Sequence, residues 1–273
     1  MPSIQNQTSR RASLIRRLVS LVYLAPLVVV VLFLTLAIVY ARVHPPSTLM
    51  LGRWLTGQQV DRRWVPVEDI SRNLIAAVVT SEDARFCSHH GVDWVEMHAA
   101  IDDDEEGGPS RGASTITMQT VKNLFLWNSR SFIRKGLEIP MALALDRLWS
   151  KRRILEVYLN IAEWGDGVFG AEAAARTDFG KSAKELNPRE AALLAAALPN
   201  PKLRDPRRPS RFHLRRAATD GDAADHPMAA HERDFADLSG AENLFGREVF
   251  GTVALLEAEL NVLGLVGLFS GGH

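Results

Sequence analysis

One cysteine, Cys87, in 273 residues rules out a disulfide-built fold, because a lone thiol closes no bridge within its chain. Its expected state is a small buried thiol. A net charge of one sign is lacking too. Lys and Arg total 32 and Asp and Glu total 32, so no overall field selects nucleic acid as a partner. Short-period alternation of apolar and polar residues, the mark of half-buried strands, is scarce, and no internal repeat is found. Charged residues are absent altogether from Leu18 to Ala41. What the chain does have is an apolar share of 47%, which excludes a disordered or collagen-like polymer. Its length admits no more than about two domains of ~100–200 residues.

The charge-free run is 24 residues long and dense in Leu, Val and Ile. As a helix it extends about 36 Å, enough to cross a ~30 Å hydrocarbon core. A cleaved signal peptide is the rival reading, with Val39-Tyr40-Ala41 as a tolerable cleavage site. The apolar part of such a peptide usually runs only about 7–15 residues, however. Arg10, Arg11, Arg16 and Arg17 precede the run with no acid among them. That bias keeps the N-terminus cytoplasmic and carries residues 43–273 across the membrane. The expected organisation is a basic N-terminus (1–17), a transmembrane anchor (18–41), a connector (42–66), a helical domain (67–216) and a C-terminal extension of unknown role (217–273).

The domain reads as mainly α. Ile70, Leu74, Ala77 and Val78 recur at helical spacing, as do Ile133, Leu137, Met141, Leu145 and Leu148. Asn187-Pro188-Arg189-Glu190 has the cap, first-turn proline and third-position glutamate of a helix start. Pro199-Asn200-Pro201 stops the run it begins. Pro140 should kink its helix or interrupt the hydrogen bonding there. In the connector, Trp54 and Trp64 fit either the bilayer interface or packing on the domain. The arginines at 207, 208, 211, 215 and 216 fit a solvated helix or an anionic lipid surface. Residues 249–269 are apolar but broken by Glu257 and Glu259, so no second span is assigned.

Three clusters carry chemistry. The first, SEDARFCSHHGVD from Ser81 to Asp93, places a Glu-Asp pair at the end of a helical run beside an aromatic and a glycine turn. Partial burial there can raise a carboxyl pKa. His89, His90 and His98 match no common metal-ligand spacing, and no H-E-x-x-H occurs. The second, RGASTITMQTVKN from Arg111 to Asn123, puts hydroxyls and free backbone N–H groups at a helix start, which suits an anionic oxygen. Lys122 lies within reach of the same group, and the nucleotide-type phosphate loop is missing. The third, NSRSFIRKGLE from Asn128 to Glu138, sets Arg134 and Glu138 four apart on one helix face. Each alone has an ordinary reading: a solvated helix end, a capped helix, a surface ion pair. The acidic run Asp102 to Glu106 fails the calcium-loop pattern, since its twelfth position is Ala113, and reads as a solvated loop.

In this order the clusters are specific. Followed by KRRILEVYLNIAEWGDGVFGAEAAA and EAALLAAALPNP, they closely resemble the peptidoglycan glycosyltransferases, in particular the monofunctional type with one anchor and one catalytic domain. The resemblance spans about Trp54 to Asp205. The S-x-x-K and K-T-G motifs of a transpeptidase domain are absent. Met118 stands where many members have Gln, and Ala113 replaces a second glycine of bifunctional relatives.

The resemblance implies a lysozyme-like, all-helical domain at the bacterial inner membrane, acting on its periplasmic side. The implied reaction extends a glycan strand with a lipid-linked disaccharide and releases polyprenyl diphosphate. Glu82 would be the general base and Glu138 a second carboxylate aiding departure of the diphosphate. Lys122, Arg130, Arg134 and Lys135 would hold that diphosphate, and Ser114, Thr115, Gln119 and Asn123 substrate oxygens. No tightly bound cofactor and no certain metal site are implied, only a divalent cation, Mg2+ or Mn2+. The implied partners are the lipid-linked precursor, the growing strand, membrane lipid and other cell-wall synthesis proteins, with no nucleic acid. Glu156, expected on a helix surface, and Glu163 and Asp166 have no firm role. Two rival readings stand beside this one. A lysozyme-like lytic enzyme would have no use for the Lys122/Arg134 cluster, and an inactive membrane-tethered adaptor would show no turnover. All of it requires Glu82 and Glu138 to face one groove that also gathers cations.

Overall fold

The computed structural model describes residues 24–105, 113–129, 131–201, 203–211, 214 and 217. Arg111, Arg130, Arg215, Arg216 and the extension from 218 on lie outside the described residues. The chain divides into two units, one up to Val43 and one from His44 on. In the first, residues 24–40 form helix α1, with apolar side chains exposed from Leu24 to Leu34. Among the described residues no helix is long and apolar enough to cross a membrane. The anchor expected over 18–41 begins outside them.

The second unit is mainly helical. Its helices are α2 (Thr48–Leu55), α3 (Arg72–Glu82), α4 (Trp94–Glu105), α5 (Ile116–Phe125), α6 (Phe132–Leu148), α7 (Lys151–Ile161), α8 (Ala171–Phe179) and α9 (Pro188–Ala197). Most starts are fixed by a side chain that accepts from the orphaned first-turn N–H groups. Ser47, Ser71, Thr115, Ser131 and Ser150 do so for α2, α3, α5, α6 and α7. Asn187 and Glu190 close the expected capping box on α9. Helix α7 is the centre of the core, with every residue from Ile154 to Ile161 buried. Helix α5 packs against both α6 and α7, and α3 packs against the alanine-rich α9.

A small sheet escaped the periodicity because its strands are too short to show one. Strands β1 (Asp61–Arg62), β2 (Glu163–Gly165) and β3 (Val168–Phe169) lie in the order β1-β3-β2. Strand β1 runs parallel to β3, with Asp61 opposite Val168, and β2 runs antiparallel to it. The stretch 42–66 thus supplies a helix and a strand to the unit. Arg53 of α2 pairs with Glu163 (2.9 Å) and with Asp166, so these two acids hold α2 in place. Trp64 stacks on His44 with ring centroids 4.3 Å apart and lies under the Arg62 and Arg153 guanidinium groups. Trp64 therefore packs on the domain, whereas Trp54 is half exposed.

Several sequence expectations need correction. Glu156 is buried, not on a helix surface. Its carboxylate accepts from the Val67 N–H at 3.2 Å and pairs with Arg153, because the chain before α3 crosses α7 there. Next to it Asn160 answers both backbone groups of Val65, at 2.9 and 2.8 Å. Cys87 is half-buried, since the loop that carries it lies at the rim of the core. Residues 102–105 continue α4 instead of forming a loop. Helix α6 continues through Pro140, so of the two expected effects the proline has the second, interrupted hydrogen bonding. The carbonyl that loses its N–H partner is that of Gly136, four residues earlier. Both residues are exposed, so water can serve that carbonyl.

The loop between α3 and α4 is fastened by Gly91, whose φ of +83° belongs to the left-handed region. A Cβ at this position would meet the Ala142 carbonyl oxygen of α6 at 2.5 Å. Gly180, which ends α8 with φ +69°, has open space around it. Gly91→Ala should therefore cost about 3 kcal/mol, strain plus clash, against about 1 kcal/mol for Gly180→Ala, strain alone. Urea denaturation of the two variants tests the difference; equal losses would contradict the close packing at Gly91.

Candidate active site

Glu82 is the last residue of α3, and Asp83, its C-cap, leaves the helix in an extended turn. Asp83 is buried and accepts two kinds of donor. The Nε2–H of His89 donates to its two oxygens at 2.8 and 3.0 Å, and the Ile116 N–H donates to Oδ2 at 2.9 Å. A carboxylate as acceptor requires the tautomer of His89 with its proton on Nε2. The contact with Ile116 sits at the first turn of α5, where the orphaned N–H groups and the helix dipole favour an anion. The Thr115 hydroxyl, which caps α5, donates to the Gly91 carbonyl at 2.7 Å. Two bonds from opposite ends of one loop thus tie it to the start of α5, and Glu82 is fixed beside that start.

A cavity of about 200 Å³ opens here, lined in part by Glu82, Asp83, Arg85, Asp93, Glu96 and Ser114. The Gln119 side chain of α5 donates from Nε2 to Glu82 Oε2 at 2.9 Å. On the Ser114 side, Lys135 Nζ donates to the Ser114 Oγ at 2.6 Å and lies 3.3 Å from Glu138 Oε2. Arg134 pairs with the other oxygen of Glu138, whose side chain is only 3% exposed. Arg134 also donates from Nε to the Ser129 carbonyl at 2.6 Å. The two acids, 56 positions apart, are thereby connected to one region, Glu82 directly and Glu138 through Lys135 and Ser114.

The cations repel one another. Burial pushes the Lys122 ammonium below its ordinary pKa, and the Arg134 charge pushes it further, with Glu82 pulling the other way. Lys135 is lowered by burial first, then by Arg134 and Lys122. Lys122, Arg134 and Lys135 are therefore within electrostatic reach of one another, with Glu138 as a buried counter-ion on one side. An anion of two or more charges would relieve that repulsion.

Of the other expected residues, Thr115 lines the cavity beside Ser114. It is 3% exposed and its hydroxyl is engaged with Gly91 and with the Met118 N–H. Asn123 is half-buried on α5, and its carbonyl accepts from Thr48 at 3.2 Å. Arg130 lies outside the described residues. Met118 is wholly buried, which suits an apolar side chain in place of Gln. The structure makes His89 the partner of Asp83 and adds Tyr158, which the sequence did not single out. The signal for Tyr158 was a polar tip inside the otherwise apolar run of α7.

Asp83, His89 and Asp93 bring ligand-type atoms within 4.8 Å of one another. Each already has protein partners: Asp93 accepts from the Val95 and Glu96 N–H groups and faces Arg85 at 3.5 Å.

The model of the family described as transglycosylase matches residues 49–220. The chain belongs to the transglycosylase family. It is 57% identical over 190 residues to the biosynthetic peptidoglycan transglycosylase of Rhodospirillum centenum, covering 69% of this chain and 82% of that one. The protein of that description from Brucella suis is 54% identical over 193 residues, 71% and 86% of the two chains. One from Rhodopseudomonas palustris is 53% identical over 205 residues, 75% and 87%. The family match takes in the cavity, the cations and both carboxylates.

In this transglycosylase, Lys122 should stabilise function at the expense of the fold. Its folded pKa lies below the unfolded one, so the unfolded chain binds more protons between the two values and stability rises with pH across that window. At neutral pH, below it, the charge destabilises the fold. Lys122→Met should raise the melting temperature in the absence of ligand. Arg134→Met should lower stability by up to ~3 kcal/mol by stripping Glu138 of a partner. Thermal melts check both; a lower melting temperature for Lys122→Met would contradict the repulsion.

Proposed function

We propose that this protein polymerises a lipid-linked disaccharide precursor into peptidoglycan glycan strands. The observation that carries the mechanism is that Glu82 lines the cavity and acts on the Lys122 charge, while Lys135 is bonded to the cavity-lining Ser114. The acceptor 4-hydroxyl gives its proton to Glu82 as its oxygen forms a bond to the anomeric carbon of the donor. The bond from that carbon to the diphosphate oxygen breaks, and polyprenyl diphosphate departs with the electron pair. An α bond is replaced by a β-1,4 bond in one displacement, so no glycosyl-enzyme is needed. Diphosphate is a stable anion and requires positive charge more than a strong acid. Lys122, Arg134 and Lys135 supply it, with Arg130 assigned beside them. Glu138 orients Arg134 and Lys135, and Ser114, Thr115, Gln119 and Asn123 complete the substrate-facing set. No tightly bound cofactor is assigned; a divalent cation, Mg2+ or Mn2+, would supply further positive charge to the diphosphate.

The protein is further assigned one membrane anchor over 18–41, with the basic residues 1–17 in the cytoplasm. The connector 42–66 and the domain 67–216 then lie on the periplasmic face of the bacterial inner membrane, with 217–273 as an appended extension. The apolar side chains that α1 exposes from Leu24 to Leu34 support this, since a helix apolar all round suits lipid. Both substrates carry lipid tails, and tethering raises their effective concentration at the site. Other cell-wall synthesis proteins are the expected partners.

Polymerisation of labelled lipid-linked precursor in detergent tests the reading. Glu82→Gln should lower the rate about 10²–10⁴-fold and move the melting temperature by no more than about 2 °C. Activity within a few-fold of the parent would remove Glu82 from the base role. Hydrolysis of finished glycan by the parent, with no use of the precursor, would instead favour a lytic enzyme.

A further inference from the structure

Gln119 stands in the substrate-facing set, yet both ends of its amide are engaged within the protein. Its Nε2 donates to Glu82 Oε2 at 2.9 Å, and its Oε1 accepts from the Tyr158 hydroxyl at 3.1 Å. The three residues lie on α3, α5 and α7, and the Tyr158 side chain is in the middle of the core at 1% exposed. A phenol in that position keeps its hydroxyl away from water, which favours it only where it finds a protein partner. Gln119 Oε1 is such a partner.

We propose that Tyr158 is a positioning residue of the reaction, whose hydroxyl fixes the Gln119 amide so that its N–H faces Glu82 and favours the ionised carboxylate. The inference rests on the reading of Glu82 as the base. An amide can turn over and exchange its donor and acceptor ends. Turned over, Gln119 would present its carbonyl to Glu82, which an ionised carboxylate tolerates badly and a protonated one welcomes. A donor fixed on the far side of Gln119 opposes that turn. Tyr158 therefore biases Glu82 toward the form that can accept a proton. The phenol remains a donor throughout, because burial, then the charges of Glu82 and Asp83, hold its pKa well above the ordinary value. The charged groups that face Glu82 are Lys122 of α5, Asp83 of the α3 cap, and, around the cavity, Arg85, Asp93 and Glu96. Arg134 of α6 acts on it through Lys122. None of these is altered when the Tyr158 hydroxyl is removed.

The test is the pH dependence of kcat/KM for the full chain polymerising lipid-linked precursor, compared among the parent, Tyr158→Phe, Gln119→Met and the double variant. Tyr158→Phe should move the acid limb up by about one pH unit, a tenfold loss of kcat/KM along that limb. Gln119→Met, which leaves the α7 core untouched, should move it in the same direction even if the phenylalanine variant folds poorly. Adding Tyr158→Phe to Gln119→Met should then produce no further movement. An acid limb that stays with the parent in either single variant overturns the inference, as do effects that multiply in the double variant. Failure of the base reading is separately visible. An active Glu82→Gln protein would remove Glu82 from the chemistry, whereas an inactive one beside an unmoved Tyr158→Phe limb overturns the relay alone.

Discussion

Asp83 is the constraint on which the site depends. A single buried carboxylate takes the N–H of Ile116 and the imidazole of His89, and so joins the end of α3, the following loop and the start of α5. An unpaired buried charge would be costly, while one hydrogen-bonded at a helix N-terminus is not. Because Glu82 precedes it in the chain, its position is inherited from this latch. The loop closes on α6 through Gly91 and on Thr115 through the Gly91 carbonyl, and with it the wall of the cavity is complete.

Beside the cavity, joined to it through Ser114, lies a group of charges that do not balance. Glu138 is buried against Arg134 and Lys135, and Lys122 joins them with its pKa lowered by burial and by Arg134. Left to itself such a group of cations opposes folding. It becomes an asset where a leaving diphosphate brings the missing negative charge. The stabilising partner is thus external, which is the usual mark of a binding site as opposed to a structural ion network.

Much of this was legible in the sequence. The helix starts at Thr115 and Asn187, the end of α3 at the Glu-Asp pair and the Arg134–Glu138 spacing all follow from local rules, and the order of the motifs pointed to the family. Long-range pairings were not legible. Nothing local announces that Glu156 would serve the Val67 N–H, that Arg53 would hold Glu163 and Asp166, or that Thr115 would be used within the fold. Strands of two or three residues carry no period, so the small sheet was invisible. Ile133 and Leu137 share their helical spacing with the buried Leu145 and Leu148, yet both are exposed, because periodicity shows which residues share a face and not what covers it. Tyr158 was hidden for the converse reason: its partner lies on another helix.

The central claim is that Glu82 on the cavity accepts the proton while the adjoining Lys122, Arg134 and Lys135 hold the diphosphate. The most direct measurement is a crystal structure of the Glu82→Gln variant with a lipid-linked donor bound. The account predicts the diphosphate oxygens within hydrogen-bond distance of Lys122, Arg134 and Lys135, and the open acceptor side of the sugar facing position 82. A diphosphate seated away from all three cations, or a donor whose anomeric carbon faces away from position 82, would contradict it.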